Sequence, residues 1–366
     1  MKILFVWRKI DHVAGGVERM LTTMMNNMAA RGHEVSLLTW DMKGATSYYD
    51  MDERITWHKL NVGAPEEKAT LIQRFQRMPK VRKAVRQAKP DVIMCFASGI
   101  FFSMRIFLAG FSIPMIAAER NAPSRFEYLT GQKKAFNVLR LANNITVQFE
   151  RYISHYPPFL RPKMSAISNP VKPSARFAEP LGIDGEEKRL LCVARLAFQK
   201  NIESLISAYA QIADEFPEWR LDIAGDGEDE HLVAAALKAT GREDKISLIG
   251  RVKDIESLCL KAHLFCLPSR WEGFPNAVAE AMAHGLPCVG YKGCSGTGDL
   301  IQHGKTGLLA EGNGDADTLA DALRTLMADG EMRAAMGRAA IEEVKQYHPD
   351  KIMDQWEAHF LKIGKK

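Results

Sequence analysis

Residues 263–280 read HLFCLPSRWEGFPNAVAE, and the fold assignment rests on this run. Its apolar start is typical of a buried strand, and the residues after Pro275 lead into a helix. Two carboxylates, Glu272 and Glu280, stand eight residues apart on either side of a Gly-Phe-Pro turn. Strand, polar loop and helix form the repeating step of an α/β sheet, which binds ligands beyond the carboxyl ends of its strands. This loop is therefore the first candidate for a site.

The same alternation of apolar runs and helical patterns extends along the whole chain. Strand-like runs are KILFVW (2–7), EVSLLTW (34–40), DVIMCF (91–96), MIAAE (115–119), RLLCVARL (189–196), WRLDIAGDG (219–227), KISLIGRV (245–252), LPCVGY (286–291) and GLLAEG (307–312). A proline-rich stretch at 156–180 separates the first four runs from the rest. The pattern predicts an α/β protein with two Rossmann-like, doubly wound parallel-sheet domains, 1–168 and 169–347, that face a central cleft. The helical tail 348–366 is expected to pack back on the first domain.

Composition narrows the class of protein. The chain has 366 residues, and its longest apolar stretch, 100–116, is interrupted by Arg105, Gly110 and Pro114, so no transmembrane helix is expected. The N-terminal MKILFVW lacks a cleavage site, so no secretory signal is expected. The six cysteines form no C-x-x-C pair and are expected to be buried thiols in a reducing cytosol.

Charge is distributed unevenly between the two halves. Residues 1–170 contain 25 Lys and Arg against 13 Asp and Glu, a net charge of +12, which leaves −7 for the remainder. A basic half is compatible with nucleic acid, an anionic membrane or a phosphorylated substrate, and charge alone does not choose among them.

Two loops have the composition of an anion site. Gly15-Gly16 follows the first strand and opens a helix, so the backbone there can approach a pyrophosphate, although a plain tight turn explains it equally well. In the quoted run, amides near Asn276 and Ala277 are expected to be free and to point toward the cleft. Amides suit an anion and carboxylates suit hydroxyls, which together fit a sugar phosphate.

Four motifs in the second half resemble those of family 4 glycosyltransferases. Glu272 to Glu280 is similar to their E-x7-E motif, and it is accompanied by the Arg195…Lys200-Asn201 pair, the 224–228 loop AGDGE and the 304–309 segment GKTGLL. The resemblance implies the GT-B fold and a retaining enzyme that moves a hexose or N-acetylhexosamine from a UDP-sugar onto a glycan hydroxyl. It brings no covalent nucleophile and implies a front-face route, in which the donor phosphate takes the acceptor proton.

The resemblance also implies roles for single residues. Arg195 and Lys200 would neutralise the donor diphosphate without a metal or other cofactor, unless they are only a solvated surface pair. Glu280 would accept hydrogen bonds from the ribose, Glu272 would contact a hydroxyl of the transferred sugar, and the backbone at Arg251-Val252 would read the nucleobase. The full donor-binding set is Gly15, Gly16, Arg195, Lys200, Gly225, Arg251, Val252, Glu272, Gly273, Phe274, Pro275, Asn276, Ala277 and Glu280.

One segment departs from the family pattern. Many relatives have a histidine after the strand that corresponds to MIAAE, whereas this chain has Glu119-Arg120. These two residues are candidate catalytic residues together with Arg195, Lys200 and Glu272. A buried ion pair that supports the loop is the alternative explanation for them.

The segment 68–89 contains eight basic residues and no acidic one. Its apolar residues, at roughly helical spacing with Pro79 interrupting, predict a basic amphipathic helix that binds an anionic membrane or the head group of a lipid-linked glycan acceptor. Similar bacterial enzymes that extend polyprenyl-diphosphate-linked glycans use a basic helix in this way. The expected acceptor or membrane contacts are Arg74, Arg77, Lys80, Arg82, Lys83 and Arg86. The alternative is an ordinary helix docked on the sheet. Nucleic acid is not expected, because the basic run has no interleaved aromatic stacking platform.

These features together predict a peripheral enzyme on the inner face of the cytoplasmic membrane. The rival functions are a GT-B nucleotide-sugar epimerase or hydrolase, which would need no acceptor, and a noncatalytic sugar-nucleotide-binding module.

Overall fold

The computed structural model describes residues 1–13, 15–65, 67, 70–123, 132–183 and 185–364, with the backbone alone for 132–135. The chain divides into two compact units. The first unit comprises Met1–Pro170 and Pro349–Lys366, and the second comprises Val171–His348.

The first unit is built on a seven-stranded parallel sheet. Its strands are β1 (Lys2–Trp7), β2 (Glu34–Thr39), β3 (Thr56–Lys59), β4 (Val92–Phe96), β5 (Met115–Ala118), β6 (Asn144–Val147) and β7 (Met164–Ala166), in the order β3-β2-β1-β4-β5-β6-β7. The helices among them are α1 (Gly16–Ala30), α2 (Leu71–Ala88), α3 (Ser98–Phe107) and α4 (Gln132–Leu139). All residues of β4, β5 and β6 are buried, because helices cover both faces of a parallel sheet.

The second unit repeats this plan with six parallel strands. They are β8 (Lys188–Val193), β9 (Trp219–Ala224), β10 (Ile246–Gly250), β11 (Leu264–Cys266), β12 (Cys288–Tyr291) and β13 (Gly307–Ala310), in the order β10-β9-β8-β11-β12-β13. The helices are α5 (Ile202–Ile212), α6 (Glu230–Thr240), α7 (Ile255–Lys261), α8 (Asn276–Ala283), α9 (Thr297–Leu300), α10 (Ala316–Ala328) and α11 (Gly330–Val344). The prediction of two doubly wound parallel-sheet domains is confirmed.

The strand order reverses once in each sheet, between β1 and β4 and between β8 and β11. At such a point the two neighbouring strands send their chains to opposite sides, which opens a crevice beyond their carboxyl ends. The fold therefore selects the loops after β8 and β11 as ligand loops of the second unit.

The last helix, α12 (Pro349–Gly364), belongs to the first unit. Trp356 and Phe360 are fully buried, and the Phe360 ring meets Phe5 of β1 edge-on at 5.8 Å. Glu357 accepts hydrogen bonds from Arg31 at 2.6 Å and from His33 at 2.8 Å. Apolar contact fixes the face of α12 that is buried, and the two polar contacts at Glu357 fix its register along the unit.

All six cysteines are free and buried, as their apolar surroundings predicted. Burial raises the pKa of the Cys192, Cys259 and Cys294 thiols to about 12, so these thiols are neutral near pH 7. Within the described ranges, no helix is long and apolar enough to cross a membrane.

Candidate active site

The loops after β8 and β11 bring together three of the predicted residues. Arg195 and Lys200 follow β8, and Glu272 follows β11. Lys200 and Glu272 form an ion pair through Nζ and Oε1, with side-chain exposures of 19% and 7%. Two residues 72 positions apart in sequence thus meet where the strand order reverses. The alternative that Lys200 belongs to a solvated surface pair is wrong.

A serine that sequence reasoning did not single out orients this carboxylate. Ser269 is fully buried and donates from Oγ to Oε1 of Glu272 at 2.6 Å. The backbone N–H of Glu272 donates to the carbonyl of Ser295 at 2.8 Å. Glu272 is therefore held at both its backbone and its carboxylate, in a place where burial strengthens its attraction to Lys200.

The two loops are joined by further hydrogen bonds. Gln199 donates from Nε2 to the carbonyl of Trp271 at 2.7 Å, and its own carbonyl accepts from the Arg270 amide at 2.8 Å. Asn201, which has a left-handed backbone with φ of 53°, donates from Nδ2 to the carbonyl of Pro268 at 3.3 Å. These bonds fix the distance between the loop of Lys200 and the loop of Glu272.

Arg195 is held less firmly. Its guanidinium lies 4.0 Å from Glu228, and both side chains are 61% exposed. An exposed pair of this kind contributes little to stability, so Arg195 can turn toward a bound anion at small cost.

The glycines of the 224–228 loop have a packing role. A Cβ on Gly225 would lie 1.8 Å from the carbonyl oxygen of Ala194, and one on Gly227 would lie 2.1 Å from that of Leu196. The Leu196 amide donates to the carbonyl of Asp226 at 2.9 Å. Gly225 thus lets the loop after β9 lie against the segment that carries Arg195, which accounts for this glycine without any contact to a donor.

Arg251 and Val252 lie after β10, which is separated from β8 by β9. Nε of Arg251 donates to Oδ2 of Asp226 at 2.9 Å, and the Arg251 side chain is 68% exposed. This contact ties the loop after β10 to the loop after β9. The predicted role of their backbone toward a nucleobase stays a prediction.

Helix α8 begins at Asn276, so Glu280 lies one turn into the helix as the sequence indicated. The expectation of a free amide at Asn276 is wrong, because this N–H donates to the carbonyl of Phe274 at 2.9 Å. Gly273, Phe274 and Pro275 are buried, and the Phe274 ring packs edge-on against another side chain of this unit, Tyr347, at 5.4 Å. The Gly-Phe-Pro turn therefore fixes where α8 starts and which way Glu280 projects.

A glycine-rich loop was also missed at the sequence level. Residues 293–298 read GCSGTG after β12. Gly296 has φ of +85°, and a Cβ there would lie 2.7 Å from the carbonyl oxygen of Glu272. Three glycines within six residues after a strand were the available signal. A residue with a Cβ would clash there, so this loop needs a glycine in order to pack against the backbone of Glu272.

The first unit places Glu119 and Arg120 at the carboxyl end of β5. Glu119 is 6% exposed. Arg120 donates from Nη1 to the carbonyl of Ile167 at 2.8 Å and stacks 5.0 Å from the Trp356 ring of α12. Burial lowers the pKa of Arg120 to about 9. The alternative of a buried ion pair that supports the loop stays a prediction.

Gly15 and Gly16 start α1, and their surroundings are acidic. The carboxylate of Glu18 folds back so that its Oε2 would lie 2.1 Å from a Cβ on Gly15. Its other oxygen accepts from Nε1 of Trp7 at 2.8 Å. A carboxylate already occupies the favourable position at this helix N-terminus, so a pyrophosphate there would have to displace Glu18.

Comparisons with known proteins agree with this geometry. The model of "Glycosyl transferases group 1" matches residues 174–343, and that of "Glycosyl transferase 4-like domain" matches residues 15–152. The chain is a family 4 glycosyltransferase of the GT-B fold.

Two relatives match this glycosyltransferase over nearly their whole length. An uncharacterized glycosyltransferase of Haemophilus influenzae is 26% identical over 94% of the chain and 95% of its own length. The GalNAc-alpha-(1->4)-GalNAc-alpha-(1->3)-diNAcBac-PP-undecaprenol alpha-1,4-N-acetyl-D-galactosaminyltransferase of Campylobacter jejuni is 25% identical over 97% of each chain.

Solved structures show the same fold. A sucrose-phosphate synthase of Thermosynechococcus elongatus has a TM-score of 0.82 at 18% identity and covers 98% of each chain. Anabaena HepE, solved with UDP and glucose, has a TM-score of 0.76 at 19% identity and covers 99% of each chain.

The basic helix α2 of the glycosyltransferase differs from its prediction in two ways. It runs unbroken from Leu71 to Ala88 through Pro79, so the predicted interruption is wrong. The predicted apolar face is also divided, because Val81 and Val85 are buried while Leu71, Ile72 and Phe75 are each 71% exposed. Lys68, the first basic residue of the predicted segment, lies outside the described residues.

Three of the six predicted contact residues on α2 are used within the first unit. Arg77 donates to the carbonyl of Val62 at 2.9 Å, and Lys80 donates to that of Leu60 at 2.9 Å. Arg82 donates to the carbonyl of Phe107 at 3.1 Å. In the described part of the chain, Arg74 and Lys83 have no side-chain hydrogen bond or ion pair, and Arg86 lies 5.8 Å from the Phe111 ring. Of the six predicted contact residues, the glycosyltransferase therefore presents only Arg74, Lys83 and Arg86 to an acceptor or a membrane.

Proposed function

We propose that this glycosyltransferase moves a hexose or N-acetylhexosamine from a UDP-sugar onto a hydroxyl of a polyprenyl-diphosphate-linked glycan, with retention of anomeric configuration and without a metal. The observation that carries the proposal is the buried Lys200–Glu272 pair at the point where the strand order of the second unit reverses. A cation for a diphosphate and a carboxylate for a sugar hydroxyl stand side by side there.

Lys200 and Arg195 would stabilise the departing diphosphate. The leaving group gains negative charge as the sugar–phosphate bond breaks, so cations near its oxygens lower the barrier. Lys200 contacts Glu272. The donor diphosphate would compete for Lys200, and the donor sugar would offer Glu272 a hydroxyl in exchange.

The front-face route gives roles to the donor phosphate and to the remaining groups of the protein. A donor phosphate oxygen takes the proton of the acceptor hydroxyl as that hydroxyl attacks the anomeric carbon from the face that the diphosphate leaves. The protein then contributes chiefly position and charge. Glu280, one turn into α8, would accept hydrogen bonds from the ribose. Glu119 and Arg120 remain candidate catalytic residues of the first unit.

UDP and the lipid-linked acceptor are supported by relatives and by charge. HepE was solved with UDP, with UDP and glucose, and with UDP-glucose, and the Campylobacter relative is named for an undecaprenol-diphosphate-linked substrate. The net charge of +12 over residues 1–170 suits an anionic acceptor and an anionic membrane. We therefore place the enzyme on the inner face of the cytoplasmic membrane.

The test is transfer by the purified protein from UDP-, GDP- and ADP-sugars in EDTA, with and without lipid-linked oligosaccharide. Nucleotide release, product mass and the anomeric configuration by NMR are followed. Transfer from one UDP-sugar to the lipid-linked acceptor with retention is expected. Loss of transfer in EDTA that Mg²⁺ restores would contradict metal independence. Conversion of the donor without acceptor would favour an epimerase or hydrolase.

A further inference from the structure

An apolar groove of about 430 Å³ lies between α2 and α3 in the first unit. Its volume is in the range of ~300–1,000 Å³ typical of small-molecule sites. The apolar side chains that line it include Trp40, Leu71, Phe75, Met78, Phe102 and Ile106. Trp40 directly follows β2, and Leu71 is the first residue of α2, so one end of the groove lies near the carboxyl edge of the sheet, where ligands bind in this kind of fold.

The first turns of α2 bury a charged side chain and expose apolar ones, which is the reverse of an ordinary surface helix. Arg77 faces inward with 5% exposure, while Leu71 and Phe75 are each 71% exposed. Across the groove, Phe102 is 45% exposed and Ile106 is 47% exposed. A soluble protein rarely exposes neighbouring large apolar side chains without a binding role. The start of this helix is nevertheless well defined, because Thr70 and Gln73 form a capping box.

The groove also has a positive charge. Arg74 lines it, and α2 contains no acidic residue. Among the described residues, the guanidinium of Arg74 has no hydrogen-bond or ion-pair partner. Hydrocarbon on the walls and an available guanidinium at the rim match a molecule that joins one apolar chain to an anion.

We propose that this groove binds the hydrocarbon chain of the acceptor, the isoprenoid segment next to the diphosphate, while Arg74 pairs with the diphosphate. The inference rests on the lipid-linked acceptor of the proposed function and adds a site for its chain. A concave groove takes a single chain between two helices, whereas a flat apolar face would only lie on a bilayer.

The test uses farnesyl diphosphate, a soluble prenyl diphosphate, with inorganic pyrophosphate and farnesol as partial ligands. Isothermal titration calorimetry is done in saturating UDP, which fills the proposed donor diphosphate site. It is expected to give an affinity for farnesyl diphosphate at least about tenfold above that for pyrophosphate, because the chain buries apolar surface. The double variant Phe75→Ser with Phe102→Ser should lower it to the level of pyrophosphate. Arg74→Gln should weaken farnesyl diphosphate and pyrophosphate but leave farnesol unchanged.

Phe177→Ser is the matched control, since Phe177 is 50% exposed in the second unit and should leave binding unchanged. Thermal unfolding checks that each variant is folded. Equal affinities for farnesyl diphosphate and pyrophosphate, or wild-type binding by the double variant, would overturn the proposal. So would binding to vesicles with none to monomeric farnesyl diphosphate, because that describes a membrane-facing surface.

Transfer assays separate this proposal from the proposed function. Transfer to a diphosphate-linked glycan on a long prenyl chain should fall in the double variant, and transfer to the same glycan on a methyl diphosphate should not. Binding of farnesyl diphosphate without any sugar transfer would support the groove and contradict the lipid-linked acceptor of the proposed function. Transfer that is equally good to both acceptors would contradict the groove alone.

Discussion

At the residue scale, the Lys200–Glu272 ion pair has a structural role, and the proposed function gives it a catalytic one as well. Glu272 is 7% exposed, and its carboxylate needs partners because burying an unpaired charge is costly. Lys200→Ala should lower kcat by about 10²–10³-fold through loss of charge on the leaving diphosphate. It should also lower the free energy of unfolding by about 1–3 kcal/mol, since the buried carboxylate loses its cation although Ser269 still donates to it. Steady-state kinetics and urea unfolding measure the two effects.

The control for this variant is Lys292→Ala. Lys292 pairs with Glu311 in the same unit, but the two side chains are 64% and 72% exposed, so neither kcat nor stability should change appreciably. A Lys200→Ala enzyme that retains wild-type turnover would remove Lys200 from the catalytic set.

Gly225 tests whether packing between loops shapes the site. Gly225→Ala places a Cβ 1.8 Å from the carbonyl oxygen of Ala194, so the segment that carries Arg195 has to move. We expect a rise in the Kd for UDP of at least about tenfold and a lower unfolding temperature. Both are read from calorimetry and thermal unfolding.

Gly241→Ala is its counterpart. Gly241 also has a positive φ, +65°, but no atom lies within 4 Å of its added Cβ. That change should cost about 1 kcal/mol of stability through backbone strain alone and leave UDP binding unchanged. Equal effects of the two variants on UDP binding would show that strain rather than the contact with Ala194 matters.

Sequence reasoning found the members of this site but not their contacts. Lys200 and Glu272 were both predicted from motifs, yet motif spacing does not show that they pair with each other. Ser269 could not be assigned, because a serine in a loop after a strand is common. Its hydrogen bond to the Glu272 carboxylate is visible only in the structure.

At the scale of elements, α2 shows why periodicity alone misplaced an apolar face. Leu71 and Phe75 share the helical spacing of Val81 and Val85, but only the second pair is buried. Which turns dock depends on what the rest of the fold offers, here the carbonyl of Val62 for Arg77. Hydrophobic spacing predicts a helix and cannot predict such a partner.

Arg77 and Arg74 should therefore behave differently when truncated. Burial lowers the pKa of Arg77, whose guanidinium donates twice to the carbonyl of Val62. Arg77→Ala should lower the free energy of unfolding by about 2–3 kcal/mol by leaving that carbonyl without its donors. Arg74→Ala should leave stability within about 0.5 kcal/mol and weaken binding of the acceptor. Urea titrations and acceptor binding distinguish the two, and equal stabilities would refute the structural role of Arg77.

Helix α12 is expected to make the stability of the first unit sensitive to acid. Burial lowers the pKa of His359 from 6.5 to about 4, with smaller contributions from the cations Lys362 and Arg120. The unfolded chain takes up a proton near pH 6.5 and the folded chain only near pH 4, so stability is full above pH 6.5 and falls as the pH drops toward 4. The expected loss is about 2–3 kcal/mol.

His359→Phe should flatten this dependence, as followed by calorimetry between pH 7 and pH 4. The loss of stability in acid that comes from Glu357 should remain, because hydrogen bonds with Arg31 and His33 lower the pKa of the Glu357 carboxyl group. His12→Gln, at a side chain that is 78% exposed, should leave the pH profile of stability unchanged. An unaltered profile in His359→Phe would show that other groups dominate acid unfolding.

At the scale of the whole molecule, the fold was the most predictable feature. Short, nearly continuous apolar runs such as VIMCF of β4 are typical of strands buried on both faces, and their alternation with helical patterns predicts a parallel sheet. Contacts between distant segments were not predictable in this way. The packing of Trp356 of α12 against Arg120 after β5 depends on three-dimensional proximity that neither segment encodes alone.

The uneven distribution of charge along the chain predicts that the whole molecule binds anionic membranes. With +12 over residues 1–170 and −7 over the rest, the protein should cosediment with phosphatidylglycerol vesicles, remain in solution with phosphatidylcholine vesicles, and lose binding as salt rises. Reversing Lys83 and Arg86 to Glu should weaken binding more than about tenfold, since each basic residue near an anionic surface contributes ~1 kcal/mol. Reversing the exposed Lys253 and Lys305 of the second unit changes net charge equally and should have little effect. If both double variants bound equally weakly, net charge alone would explain attachment, and α2 would have no special part in bringing the enzyme to its acceptor.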